Sequence, residues 1–181
     1  MSDFLMSCSC RGRRPKHVAS SATHSRPHLI ADLLRSRDVA RFLVAPTGFG
    51  KSTVAAEYAQ VVFSFRQTFW VNCESPCFLR DLDAGIIASR VAEIGGAGSL
   101  VVFDDLPRMD ASRVEVFSEV VDELLAAGSE VLVTCTPTCD AYSDLHRDRV
   151  KLSARRFLLT DDEMKHTVRA TDSPHAKCRA A

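Results

Sequence analysis

Short apolar runs and longer stretches of helical periodicity take turns along this chain. The runs lie at about 40–45, 68–72, 99–106 and 130–135. They are continuous rather than alternating, as expected of strands buried on both faces of a parallel sheet. Between them the period lengthens. Pro27 opens a helix carrying Leu29, Ile30, Leu33 and Leu34 at helical spacing. Further helices are predicted over 51–63 and over about 78–94, the second with Leu82, Ile86, Ile87, Val91 and Ile94 on one face. Ser112 with Glu115 reads as a capping box that starts a helix with Val116, Val120, Val121, Leu124 and Leu125 on its apolar face. That helix stops at Gly128. A short helical turn near 140–147, a fifth strand within 149–159 and a second capping box, Thr160 with Glu163, complete the pattern. Repeated strand–helix alternation predicts an α/β fold, a parallel sheet wrapped by helices.

The link between the first strand and its helix carries the most specific chemistry. It reads Ala45-Pro46-Thr47-Gly48-Phe49-Gly50-Lys51-Ser52-Thr53. Strand, glycine-containing loop, Gly-Lys-Ser and helix are the parts of a P-loop. Main-chain N–H groups of the loop and of the helix start bind anionic oxygens. Gly48 and Gly50 allow backbone angles that a Cβ would oppose. Lys51 sets a compact positive charge against the β- and γ-phosphates of a nucleotide, and Ser52 offers Mg²⁺ a hydroxyl. The strict pattern begins with Gly, and Ala45 stands there instead. Pro46, Thr47, Gly48, Phe49, Gly50, Lys51, Ser52 and Thr53 are therefore the expected nucleotide-binding residues.

Such a site also needs a carboxylate for the metal. Asp104 and Asp105 follow four apolar residues at the C-terminal end of the third strand, the edge where open α/β sheets bind ligands. Asp104, with Ser52, is the expected Mg²⁺ residue. Asp105, with Lys51, is the expected catalytic residue, orienting or activating the attacking water. Thr134 or Thr136, at the end of the fourth strand, is the candidate polar sensor of the γ-phosphate.

Composition narrows the class. The 181 residues contain 23 Lys and Arg against 23 Asp and Glu, and 46% are hydrophobic. A net charge of zero gives no global electrostatic case for nucleic-acid or membrane binding. No apolar run is long enough to cross a bilayer. The seven cysteines are an odd number, and no secretory signal precedes them, which fits reduced thiols in the cytoplasm. Two Cys-x3-Cys pairs, Cys73/Cys77 and Cys135/Cys139, lack the spacing of a zinc knuckle. Residues 1–25 read as a flexible basic leader, 26–169 as one ATPase core and 170–181 as a frayed tail.

The order of the pieces resembles the ATPase core of the STAND signalling ATPases, and within them the MalT/LuxR-type transcription regulators. The likeness runs from Arg26-Pro27-His28-Leu29 through the Ala-Pro-x-Gly-Phe-Gly-Lys loop, Phe69-Trp70-Val71 and Val101-Val102-Phe103-Asp104-Asp105 to Leu159-Thr160-Asp161-Asp162-Glu163. It implies a three-layer fold with a five-stranded parallel sheet of order 5-1-4-3-2. It also implies an ATP-dependent switch using ATP and Mg²⁺, with slow or partner-dependent hydrolysis. The family binds nucleotide between core and lid and self-associates with ATP. This chain ends soon after its last helix start, before the family's lid, sensor repeats and DNA-binding helix-turn-helix, so either it is a fragment or truncated relative, or the missing parts act in trans, by self-association or from a lid-bearing partner. The family often places an Arg after the fourth strand, whereas Thr134-Cys135-Thr136-Pro137 has none. Two alternatives stand beside this reading: a non-catalytic nucleotide-binding or interaction module, and a small-molecule kinase whose basic lid would use Arg147 and Arg149 or Arg155 and Arg156.

Overall fold

A computed structural model describes residues 25–35, 39–63, 67–94, 98–138 and 149–158. Strands β1 (Ala40–Val44), β2 (Gln67–Asn72), β3 (Ser99–Leu106), β4 (Glu130–Cys135) and β5 (Arg149–Ser153) form one sheet. Its order is β2-β3-β4-β1-β5, with every pairing parallel, which is the predicted 5-1-4-3-2 arrangement. β1 and β4 are buried at every residue, which is why they read as unbroken apolar runs.

Helices cover both faces: α1 (Pro27–Leu34), α2 (Lys51–Phe63), α3 (Phe78–Asp83), α4 (Ile86–Ile94) and α5 (Ala111–Ala126). Alternate strand residues feed two separate cores. Phe42, Val44, Val101, Phe103, Val131 and Val133 pack with the face covered by α3, α4 and α5. There the Phe103 and Phe117 rings meet edge to face at 5.0 Å, an arrangement worth about 0.5–1.5 kcal/mol beyond its buried area. Leu43, Ala45, Leu100, Val102 and Leu132 pack with α1 and α2 on the other face.

Several boundaries differ from the sequence expectation. The single helix over 78–94 is two helices, because Gly85 adopts φ +67°, a left-handed conformation that ends α3. Ile86, just past that break, is 40% exposed rather than core. The cap of α5 is Asp110, not Ser112. Its Oδ1 accepts from the Arg113 main-chain N–H at 3.0 Å and from the Ser112 hydroxyl at 2.8 Å. The buried face of this helix includes Val114 and Phe117 and leaves Val116 outside. The Arg113 guanidinium also holds both oxygens of Asp83 at 2.8 Å, tying the end of α3 to α5. That hydrogen bonding keeps the Asp83 carboxyl below its ordinary pKa.

α1 is fixed to α2 by its opening residues. The Arg26 main-chain N–H donates to Glu57 Oε2 at 3.1 Å, and the Ser25 hydroxyl donates to the other carboxylate oxygen. The Arg26 guanidinium donates to the Phe157 carbonyl at 2.8 Å, in a 3-10 turn (Ala154–Phe157) that follows β5. Arg156 of the same turn pairs with Asp32 of α1. The helical turn over 140–147, the Thr160/Glu163 capping box, the 1–25 leader up to residue 24 and the tail from 170 lie outside the described residues. No helix among the described residues is long and apolar enough to cross a membrane.

Candidate functional site

β1 ends where its sheet bonding runs one residue further: the Ala45 N–H donates to the Cys135 carbonyl at 3.3 Å. The chain then turns through Pro46, whose carbonyl accepts from Phe49 N–H at 3.4 Å, and α2 begins with Val54 N–H on the Gly50 carbonyl at 2.9 Å. Gly48 and Gly50 have φ of +86° and +81°, where any Cβ brings strain. A Cβ on Gly48 would meet nothing within 4 Å, so backbone conformation, not crowding, selects glycine there. Pro46, Thr47 and Gly48 form an exposed crest. Phe49 packs its ring toward the α2-side core, anchoring the loop. The first-turn N–H groups of α2, from Lys51, Ser52 and Thr53, have no acceptor within the helix and point toward this loop.

Lys51 is buried, and its Nζ donates to the Pro46 carbonyl at 3.3 Å. Asp105 Oδ1 lies 3.9 Å from the same Nζ. The Ser52 hydroxyl donates to Asp104 Oδ1 at 2.9 Å. The loop lysine and serine thus meet both acids of β3, although the two segments are far apart in the chain.

How both acids reach one side is a finding the sequence did not offer. Asp104 shares the side of Leu100 and Val102, facing α2. Regular alternation would send Asp105 to the opposite face. Instead the β3–β4 register slips: Phe103 pairs with Val133, but Leu106 pairs with Cys135. Three steps on β3 match two on β4, a β-bulge with one extra residue. Asp105 absorbs it with φ +55°, the one non-glycine positive φ among the described residues. Asp tolerates this region better than most side chains. The bulge turns Asp105 back toward Lys51 while Leu106 returns to the core.

Thr134 sits behind the acids, with no exposed surface. Its hydroxyl donates to Asp104 Oδ1 at 2.7 Å and accepts from Asp105 N–H at 2.7 Å. The Thr136 hydroxyl, just past the end of β4, bonds that of Thr138 at 2.8 Å. Strand alternation does not separate these two candidates, since both share the parity of Leu132; what distinguishes Thr134 is that it lies inside β4, whereas Thr136 follows its last residue.

The residues suit a nucleotide phosphate with Mg²⁺. Among the described residues no group of three or more His, Cys, Asp or Glu could hold a metal. Ser52 and Asp104 instead offer two hard oxygens beside an anion-binding loop. Mg²⁺ is commonly held in this way, with one or two protein ligands, retained waters and phosphate oxygens.

No family model matches the chain, and no curated protein matches it in sequence. Its fold does match solved structures. Domain III of the replication initiation protein DnaA from Thermotoga maritima aligns with TM-score 0.52 at 13% identity, over 87% of this chain and 74% of that one. A STAND protein with a tetratricopeptide repeat sensor from Pyrococcus horikoshii aligns with TM-score 0.52 at 12% identity, over 86% of this chain and 26% of that one. The Thermotoga maritima RuvB Holliday junction branch migration motor aligns at TM-score 0.49 and 19% identity, and the chain spans about half its length, 47%. The fold is the P-loop nucleoside triphosphatase fold, a five-stranded parallel sheet flanked by helices.

Proposed function

We propose that this chain is the ATP-binding core of a signalling or regulatory P-loop ATPase of the STAND type, in the MalT/LuxR-like branch. It acts with Mg²⁺ in the cytoplasm, and its hydrolysis is slow or partner-dependent. The observation that carries the reading is the meeting of Lys51 and Ser52 with Asp105 and Asp104 at the glycine loop. The loop and α2 N–H groups bind the phosphates, and Lys51 neutralises their charge. Ser52 and Asp104 are the ligand pair for Mg²⁺, which when bound supplies electrostatic stabilisation of charge on the transferring phosphoryl group. Asp105, beside them, accepts a proton from the attacking water.

The Lys51–Asp105 contact does not stand in the way of a nucleotide. At 3.9 Å the pair is at the limit of ion-pair contact and Asp105 is partly exposed to water, whereas a charge-assisted hydrogen bond to phosphate is worth about 1.5–3 kcal/mol. Slow turnover is expected because no arginine follows β4 in Thr134-Cys135-Thr136-Pro137, so that charge to stabilise the transferring phosphoryl group is missing there. Self-association or a lid-bearing partner would supply it. A kinase lid built on Arg155 and Arg156 fits less well, because Arg156 is engaged with Asp32. No guanine-reading Asn/Thr-Lys-x-Asp sequence is present, so adenine is the expected base.

Calorimetric titration with ATP, ADP and GTP, each with and without Mg²⁺, tests the reading. Lys51→Ala is expected to weaken ATP binding about 10- to 100-fold, the equivalent of one or two charge-assisted hydrogen bonds. Unchanged affinity would reject the site. Asp104→Ala is expected to keep metal-free affinity and lose the gain that Mg²⁺ brings; equal losses with and without metal would remove Asp104 from the metal site. ATP binding without phosphate release above background, alone or with added partners, would favour the non-catalytic module.

A further inference from the structure

A polar residue at the end of the strand between the loop strand and the acid strand is expected to touch the γ-phosphate. The geometry points to a different role for Thr134, and we propose that it is a positioning residue. It sets the metal-binding carboxylate and the water-activating acid relative to each other and does not contact the nucleotide. This inference rests on the reading of the site as a Mg²⁺–nucleotide site.

A threonine hydroxyl has one proton to give and lone pairs to accept with. In Thr134 the proton goes to Asp104 Oδ1 and a lone pair takes the Asp105 N–H, each at 2.7 Å. The side chain is buried completely, on the α2 side of the sheet. To donate to a phosphate it would have to release Asp104.

The two bonds have different jobs. Asp104 Oδ1 takes hydrogen bonds from both Ser52 and Thr134, so its carboxylate is held from two strand-and-helix elements at once. Groups that hydrogen-bond a metal ligand from behind set its direction and the affinity of the site. The second bond replaces one that the bulge removes. The Asp105 N–H, displaced from the β3–β4 ladder by the register slip, is satisfied by the Thr134 hydroxyl. That stabilises the left-handed conformation at φ +55° that turns the Asp105 side chain toward Lys51. One hydroxyl thereby fixes the direction of one acid and the backbone of the next.

The test separates a residue that positions the metal ligand from one that reads the third phosphate. Full-length wild type, Thr134→Val and Thr134→Ser are titrated with ATP and with ADP, each with and without Mg²⁺. Thr134→Val keeps the shape and removes the hydroxyl. It is expected to leave metal-free affinities unchanged and to reduce the Mg²⁺-dependent gain about 10-fold, equally for ATP and ADP. Thr134→Ser is expected to restore the gain. A loss confined to ATP would assign Thr134 to the γ-phosphate and overturn the inference, as would an unchanged Mg²⁺ gain in the valine variant. A serine variant as impaired as the valine variant would also overturn it, because packing of the methyl group would then be the cause. If thermal unfolding shows that Thr134→Val does not fold, Thr134→Ala takes its place with the same expectations. Wild type that shows no Mg²⁺-dependent gain rejects the nucleotide site itself, whereas a wild-type gain shared by the variants rejects this inference alone.

Discussion

Asp105→Asn is expected to slow ATP hydrolysis by about 10²–10⁴-fold, the usual contribution of a positioned general base, without weakening Mg²⁺–ATP binding. Asparagine suits the test because it removes only the charge. It is among the few side chains that accept a left-handed backbone, so the φ of +55° and the N–H donated to Thr134 both persist. A β-branched replacement would add strain of about 1–3 kcal/mol at that position and confuse the result. Affinity for ATP should hold or rise, because a negative charge 3.9 Å from Lys51 Nζ is removed from beside the arriving phosphates. Phosphate release measured in single turnover, with protein in excess over ATP, reads the slow rates expected. Turnover equal to wild type would assign the proton to another group. Loss of binding in step with turnover would make Asp105 a part of the binding site instead.

The parts of this site that could be read in the sequence are the local ones. Glycines with a following Gly-Lys-Ser impose their own backbone, and strands buried on both faces announce themselves as apolar runs. Their order in the sheet came from the resemblance to the STAND ATPase core, and the strand pairings agree with it. What escaped were features created by the meeting of strands. Strict alternation puts Asp104 and Asp105 on opposite faces, and only the slip between β3 and β4 reveals that they share one. The break at Gly85 is similar: one glycine inside a helical period costs about 1 kcal/mol and does not announce a helix end. At α5, Asp110 and Ser112 are both good caps, and Val116 and Phe117 are both apolar neighbours of the stripe, of which packing buries Phe117 and leaves Val116 exposed. Two charged residues beside apolar runs, Arg41 and Glu130, also passed without notice, although an ionised side chain bordering a two-faced buried strand is a signal in itself.

Those two residues make the largest stability effect expected of a single change. Arg41 on β1 is almost wholly buried, and its Nη1 lies 3.3 Å from Glu130 Oε2 on β4. The Tyr58 hydroxyl of α2 donates to the same oxygen at 2.6 Å, and the Arg41 guanidinium lies 5.4 Å from the Tyr58 ring centroid. Arg41 Nε also donates to the Leu33 carbonyl at 2.9 Å, closing the end of α1. Arg41→Leu leaves the Glu130 carboxylate with a tyrosine hydroxyl but without its guanidinium. Removing one partner from a buried ion pair costs about 3–5 kcal/mol, a large share of the stability of a single domain. Urea unfolding is expected to show a fall of that size. Replacing Arg41 and Glu130 together by leucine should recover much of it, since the uncompensated buried charge is then gone. A double variant no better than Arg41→Leu would show that the backbone bonds to α1, not the charge pair, carry the effect. The consequence for nucleotide binding follows from where Tyr58 lies. It is two turns along the helix that Lys51 and Ser52 begin, so the network ties the far part of α2 to β4 while Ser52 and Asp104 tie its start to β3. The double variant keeps the second tie, and its Mg²⁺–ATP affinity should change far less than its stability.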